Sequence, residues 1–243
     1  MKIKDLSIII PAYNEEERIV KTLEEITSFM SETKIDYELI VVDDGSKDKT
    51  CEVAQNFFSL YPDLDFKLLK NPENLGKGAA VRKGVLNATG KLIYFTDADL
   101  STPIQEIMKF KEFIEKEGCD IVIGSRAVKG AKILVHQPFY REMMGKLFNR
   151  IVKILVISDF NDTQCGAKMF KNEVAKKVFS LSTLNNFAFD VEILFIAKKL
   201  GYKIKEIPVV WKNSPGTKVK LGSHGFEMLI SLFKIRFNRY RWT

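Results

Sequence analysis

Long uninterrupted apolar runs are missing from this sequence. No stretch approaches the ~18 apolar residues that a membrane-spanning helix needs, and the nearest candidate, KLFNRIVKILVI, is broken by Arg150 and Lys153. The first apolar run stops at Pro11 and acids follow at once, so the start, MKIKDLSIIIPAYNEEE, does not read as a signal peptide. Cysteine is scarce. Cys51, Cys119 and Cys165 are an odd, scattered set without metal-ligand spacing, which reads as reduced thiols in a cytosolic protein. No Gly/Ser linker, low-complexity tract or internal repeat divides the chain. Neither G-x-G-x-x-G nor G-x-x-x-x-G-K-[ST] occurs, which removes the dinucleotide fingerprint and the Walker P-loop.

What remains is a chain of 243 residues, 46% hydrophobic, with a mean hydropathy of -0.07. Alternating strand and helix signals predict one α/β domain with a single sizeable core. The apolar runs SIII (Ser7–Ile10), YELIVV, DFKLLK, KLIYFT and DIVIGS (Asp120–Ser125) predict five strands separated by helices, hence right-handed crossovers and a mostly parallel sheet. The first helix is expected to begin in EEERIV, with acids in its first turn. Ligands of such sheets sit outside the carboxyl ends of the strands. The polar clusters PAYNEE, DDGS, NPENLGKG, DADLST and GSR each follow a strand, so together they predict one site at one rim.

The sharpest of these clusters is Asp97, Ala98 and Asp99, at the end of KLIYFT. An isolated D-x-D is equally a solvated acidic turn. At the end of a core strand, beside other polar strand ends, it reads as hard oxygen ligands for Mg2+ or Mn2+, which bridge carboxylates to a diphosphate. Asp43 and Asp44 suit bonds to a base and a ribose hydroxyl, although turn capping alone would account for one of them. Gly76 and Lys77, opening a helix, allow close approach of an anion.

In this order and spacing, IIIPAYNEEERI, VVDDGSKDKT, NLGKGAAVRKG, DADLS and GSR resemble the nucleotide-binding half of family 2 glycosyltransferases, which have the GT-A (Rossmann-like) fold. DTQCGAKMF, FAFDVEILFIAKKLGY and EIPVVW further resemble the dolichyl-phosphate glucosyltransferases and their mannosyl cousins. The resemblance covers about residues 5–222 and implies a GT-A domain over 1–222 with a basic amphipathic helix over 223–243. It implies that Pro11, Tyr13, Glu15 and Asp44 line the base and ribose pocket with Asp43 in support. Asp97 and Asp99 would hold metal and diphosphate, and Lys212 and Lys218 would close over the diphosphate. Some mannosyl members carry a glutamine ligand where this chain has Ser101, and the usual S-K pair is here Thr217-Lys218.

The implied reaction is inverting transfer of a hexose to a polyprenyl (dolichyl) phosphate. Glucose from UDP-glucose is favoured, with mannose from GDP-mannose or an N-acetylhexosamine from its UDP form as alternatives. A phosphate monoester already carries about −1.5 to −2 charges at neutral pH, so its oxygen needs no base. Asp190 stands where relatives with hydroxyl acceptors place one; for a phosphate acceptor it reads as a helix-start acid or positioning group. Arg126 and Arg141 are the candidates for gripping the acceptor phosphate.

The net charge is +7, and from Lys212 onward seven basic residues face Glu227 alone. Charge of this kind suits a nucleic acid, but the paired Asp97 and Asp99 and the other strand-end acids would repel phosphates without a metal, so no nucleic-acid partner is expected. The apolar stripes of MGKLFNRIVKILVI and of a helix over Phe226–Trp242 read either as core-facing or, with their basic residues, as lying in a membrane surface. The latter places the protein in the cytoplasm, peripheral on a membrane face, with a membrane-protein partner as a further possibility.

Overall fold

Ile8, Ile9 and Ile10 are each fully buried, Ile8 and Ile10 against one layer of helices and Ile9 against the other. A strand covered on both faces needs apolar residues at every position, so the sequence shows runs where a half-exposed strand would alternate. The computed structural model describes residues 3–214, 221–238 and 240.

In chain order the elements are β1 (Leu6–Ala12), α1 (Ile19–Ser31), β2 (Tyr37–Asp43), α2 (Thr50–Ser59), β3 (Phe66–Lys70), α3 (Lys77–Asn87), β4 (Leu92–Phe95), α4 (Ile107–Glu117) and β5 (Ile121–Ser125). There follow β6 (Lys132–Val135), α5 (Phe139–Leu155), β7 (Lys168–Lys171), α6 (Asn172–Leu181), α7 (Phe189–Lys199), β8 (Ile204–Pro208), β9 (Val210–Lys212) and α8 (Leu221–Phe237). Seven strands form one sheet in the order β3-β2-β1-β4-β7-β5-β8, and β6 pairs with β9 in a small second sheet. Only β7 runs antiparallel in the large sheet, against β4 and β5. The five strands predicted from apolar runs therefore all end at the same rim, as expected of a mostly parallel sheet flanked by helices.

One face of the sheet is covered by apolar residues of α1 (Ile19, Leu23, Ile26, Met30) and of α2 and α4. The other is covered by α3, α6 and α7, with Leu232 and Ile235 of α8 joining them.

Two helix boundaries differ from expectation. α1 begins at Ile19 and has no acid in its first turn. Asn14 takes φ 52°, the Glu15 amide donates to Thr50 Oγ1 at 2.7 Å and the Lys49 amide donates to Glu16 Oε2 at 2.8 Å. The acidic stretch is thus a loop tied to the start of α2. At the other end, α8 stops at Phe237, short of the predicted Trp242. Tyr240 turns inward, buried, and its hydroxyl donates to Glu192 Oε1 at 3.0 Å. A buried hydrogen-bonded tyrosine offers more than another exposed helical turn.

Candidate active site

Pro11 and Asp43 lie at the ends of β1 and β2, where Ala12 is in register with Asp43. Tyr13 and Glu15 follow on the same loop, Glu15 paired with Arg18 at 2.6 Å. Asp43 and Asp44 diverge in their work. Asp44 is spent on the β3–α3 loop: Asn71 Nδ2 and the Leu75 amide donate to its Oδ1 at 2.7 and 3.1 Å, and the Gly76 amide donates to Oδ2 at 2.8 Å. Asp43 takes the Ser46 amide on Oδ1 at 3.1 Å, while its buried Oδ2 has no hydrogen-bond partner among the described residues. A buried carboxylate oxygen without a partner is costly unless a ligand satisfies it.

Asp97 and Asp99 stand in a tight turn after β4, where the Leu100 amide donates to the Asp97 carbonyl at 3.1 Å and Leu100 is held at φ 44°. A leucine in the left-handed region costs about 1–3 kcal/mol and persists where the surroundings over-determine it. They do so here: Thr22 Oγ1 donates to the Ala98 carbonyl at 2.5 Å, and the Ser101 amide donates to Asp99 Oδ1 at 2.9 Å. Lys77 Nζ lies 2.5 Å from Asp97 Oδ1. Burial opposes the charge on Asp97, but the Lys77 ammonium holds its carboxyl below the usual range. Burial, and then the Asp97 charge, push Asp99 up.

Gly166 completes this corner, since a Cβ there would land on Asp97 Oδ2. Two hard carboxylates, their mutual repulsion and the partly exposed side chain of Asp97 fit a divalent cation. Among the described residues no cluster of three or more His, Cys, Asp or Glu is present. This donor set suits an ion that keeps waters and takes further oxygens from a diphosphate.

Beside the acids lies a second tier of charge that the sequence reading largely missed. Arg126, after β5, donates through Nε and Nη2 to Asp162 at 2.7 and 2.9 Å, and stacks over Trp211. Burial opposes ionisation of Asp162, yet the Arg126 guanidinium draws its carboxyl down to about 2. Glu206 on β8 accepts the Asp162 amide at 2.8 Å and fixes that loop. Lys168, fully buried on β7, donates to Asp190 Oδ1 at 2.5 Å and to the Cys165 carbonyl at 2.6 Å. The signal for Lys168 was available: a lysine opening the apolar strand KMF needs a buried counter-charge. Cys165 is buried, and burial pushes its thiol up, consistent with a packing role.

Not every predicted residue joins this cluster. The Lys212 amide donates to the Ser101 carbonyl at 2.8 Å, bringing β9 to the turn of the paired acids. Lys218 lies outside the described residues. Arg141 sits half-buried in the first turn of α5, and no hydrogen bond or ion pair joins its side chain to the cluster among the described residues.

Arg141 is flanked by the most exposed apolar surface of the molecule. Phe139, Tyr140, Met143, Met144, Leu147 and Ile154 of α5 face outward, with Phe139 81% exposed. α8 packs against α5 and presents Phe226, Ile230, Phe233 and Phe237. Of these stripes, the residues just named are exposed, while Val152, Leu232, Ile235 and Tyr240 are buried in the core. Among the described residues no helix is long and apolar enough to cross a membrane.

A family model, glycosyl transferase family 2, matches residues 7–179. The dolichyl-phosphate beta-glucosyltransferase of Dictyostelium discoideum is 35% identical over 241 residues, covering 96% of this chain and 74% of that protein. The human protein of the same name is 33% identical over 226 residues, covering 89% and 70%. Among solved structures, a glucosyl-3-phosphoglycerate synthase from Mycobacterium tuberculosis in complex with Mn2+, UDP-glucose and phosphoglyceric acid superposes with a TM-score of 0.69 at 19% identity, over 96% of this chain and 79% of that one. A mannosyltransferase from Pyrobaculum calidifontis in complex with GDP-Man and Mn2+ gives 0.64 at 19% identity, over 99% and 66%. These likenesses establish the GT-A fold.

Proposed function

The chain belongs to glycosyl transferase family 2, and we propose that it transfers glucose from UDP-glucose to a polyprenyl (dolichyl) phosphate, with inversion, giving a β-linked lipid-phosphate sugar. The carrying observation is the rim where Asp97 and Asp99 stand beside cationic side chains, with Lys77 2.5 Å from Asp97 and Arg126 paired with Asp162. The curated relatives supply the choice of sugar and acceptor.

In this reading Pro11, Tyr13, Glu15 and Asp43 form the nucleoside pocket. The unpartnered Oδ2 of Asp43 is an acceptor for a base N–H or ribose hydroxyl. Asp44 acts through the loop it staples, placing Gly76 and Lys77 beside the diphosphate. Asp97 and Asp99 would hold Mg2+ or Mn2+, which would supply Lewis acidity toward the leaving diphosphate. Lys77, Lys212 and Lys218 add positive charge where the leaving group gathers negative charge.

The attacking phosphate oxygen is already anionic, so Asp190 has no proton to remove. With Oδ1 on Lys168, it serves as a positioning counter-ion. Arg126 keeps Nη1 outside its pair with Asp162, and Arg141 stands beside the exposed apolar face. Together they suit a phosphate headgroup whose lipid tail lies in a membrane. Residues 1–222 act as the catalytic domain, and α8, in the segment that follows, rests partly on the core and partly on the cytoplasmic face of a membrane.

The test is a panel of UDP-glucose, GDP-mannose and UDP-N-acetylhexosamines against short polyprenyl phosphates, with product read by mass. Glucosyl phospholipid formed from UDP-glucose alone is the expected result. Transfer only from GDP-mannose moves the assignment to the mannosyl branch, and transfer only to sugar hydroxyls removes the acceptor.

A further inference from the structure

Lys77 is placed against the electrostatics of its own helix. It is the first residue of α3, where unpaired amides favour an anion and disfavour a cation. Its ammonium is held instead by Asp97, and Asp99 and Asp190 add negative charge around it. The ring of Phe189 lies 5.9 Å away on its other side.

The backbone under Lys77 is fixed. Gly76 takes φ 103°, which only glycine adopts readily, and its amide is held by Asp44. The Gly78 amide donates to the Asn185 carbonyl at 2.7 Å. A Cβ on Gly76 or Gly78 would collide with the carbonyls of Asn185 and Leu184. The Cα of Lys77 is therefore anchored, and only its flexible four-carbon stem can swing.

An ammonium and a divalent cation repel each other, so contact with one carboxylate by both is weaker for each than contact by one alone. We propose that Lys77 is a tethered counter-cation of Asp97 that changes partner when the donor binds. In the free protein it compensates the Asp97 carboxylate. On donor binding it yields that carboxylate to the divalent ion and passes to the diphosphate. This rests on the reading of Asp97 and Asp99 as a metal–diphosphate site and adds an order to it. A metal arriving alone competes with Lys77 for Asp97 with no anion to receive the ammonium, whereas a metal–nucleotide brings the receiving anion. Metal and nucleotide each raise the other's affinity, and the coupling is reciprocal.

Calorimetry on the full chain tests this, with titrations of Mn2+ alone and of nucleotide in the presence of Mn2+. UDP and GDP are both titrated, and the tighter is carried forward. Lys77→Met and Lys77→Gln are expected to bind Mn2+ alone about tenfold more tightly, and nucleotide with Mn2+ about tenfold more weakly, than the native chain. The glutamine variant retains a donor to Asp97 and carries the measurement if the methionine variant does not fold. Unchanged or weaker binding of Mn2+ alone in a folded Lys77 variant overturns the exchange. Native affinity for Mn2+ with nucleotide in Asp97→Asn overturns the metal–diphosphate reading beneath it.

Discussion

Lys168 and Asp190 form a buried ion pair, Nζ 2.5 Å from Oδ1, that bridges β7 and the first turn of α7. Removing one partner of such a pair costs about 3–5 kcal/mol, because the other charge is left uncompensated. Lys168→Met is therefore expected to lower stability on that scale, read by denaturant unfolding. Lys168→Met/Asp190→Leu should recover much of the loss. Asp190→Asn, which keeps an acceptor for Lys168, should retain transfer to phosphate with the shape of its pH–rate profile unchanged. A collapse of turnover specific to high-occupancy substrate, with folding intact, would restore Asp190 as a base.

Gly166→Ala tests the corner around Asp97. The added methyl displaces Asp97 Oδ2, and a misplacement on the order of 1 Å costs about a hundredfold in rate. The expected outcome is that loss in kcat/KM with native circular dichroism. Full activity would mean that the position of Asp97 is not critical.

Arg141→Ala separates acceptor from donor. Among the described residues its side chain has no ion partner to leave exposed, so stability should hold. Acceptor KM should rise about tenfold or more, since hydrogen bonds to charged groups contribute about 1.5–3 kcal/mol. Nucleotide binding should not change. Arg126 needs the milder Arg126→Lys, because alanine would strand the buried Asp162. Unaltered transfer kinetics in both variants would dismiss their acceptor role.

The outward face of α5 and α8 predicts binding to anionic vesicles that weakens with salt, as each basic residue near the surface contributes roughly 1 kcal/mol. Phe233→Asp should reduce that binding at least tenfold, about 1.4 kcal/mol. Melting should barely move, because Phe233 is half exposed. Salt-independent or absent binding at low ionic strength would remove the membrane from the reading.

Glu38 gives the acid limb of stability. Burial opposes its charge, but Lys67 Nζ at 2.7 Å, with Ser7 and Thr89, holds its carboxyl below the usual range. A depressed folded value means that the unfolded chain binds the proton more readily. The stabilisation is then complete above the ordinary glutamate range and is lost as pH falls through the depressed one. Glu38→Gln should lower stability at neutral pH and flatten its fall into acid, followed by thermal melts from pH 7 downward.

The sheet was legible because β1, β2, β4 and β5 are covered on both faces and show as bare apolar runs. The rim was legible because every polar cluster followed such a run. β7 was not: KMFK is four residues long, opens on a charge, and enters the sheet antiparallel between strands far from it in sequence. The pairs Arg126–Asp162 and Lys168–Asp190 join residues 36 and 22 positions apart, and spacing carries no information about such partners. The inward turn of Tyr240 was hidden for the same reason, since its partner Glu192 lies on another helix.

That turn bears on how the protein can be handled. Tyr240 bonds Glu192, Glu192 accepts the Thr183 and Leu184 amides, and the next residue, Asn185, accepts the amide of Gly78. Tyr240 is thus three short links from the glycine loop beside Lys77. A truncation ending before Tyr240, or a bulky fusion close behind it, would disturb nucleotide affinity from the far end of the chain. Constructive engineering of this enzyme should leave that anchor in place and alter α8 by point changes on its outer side.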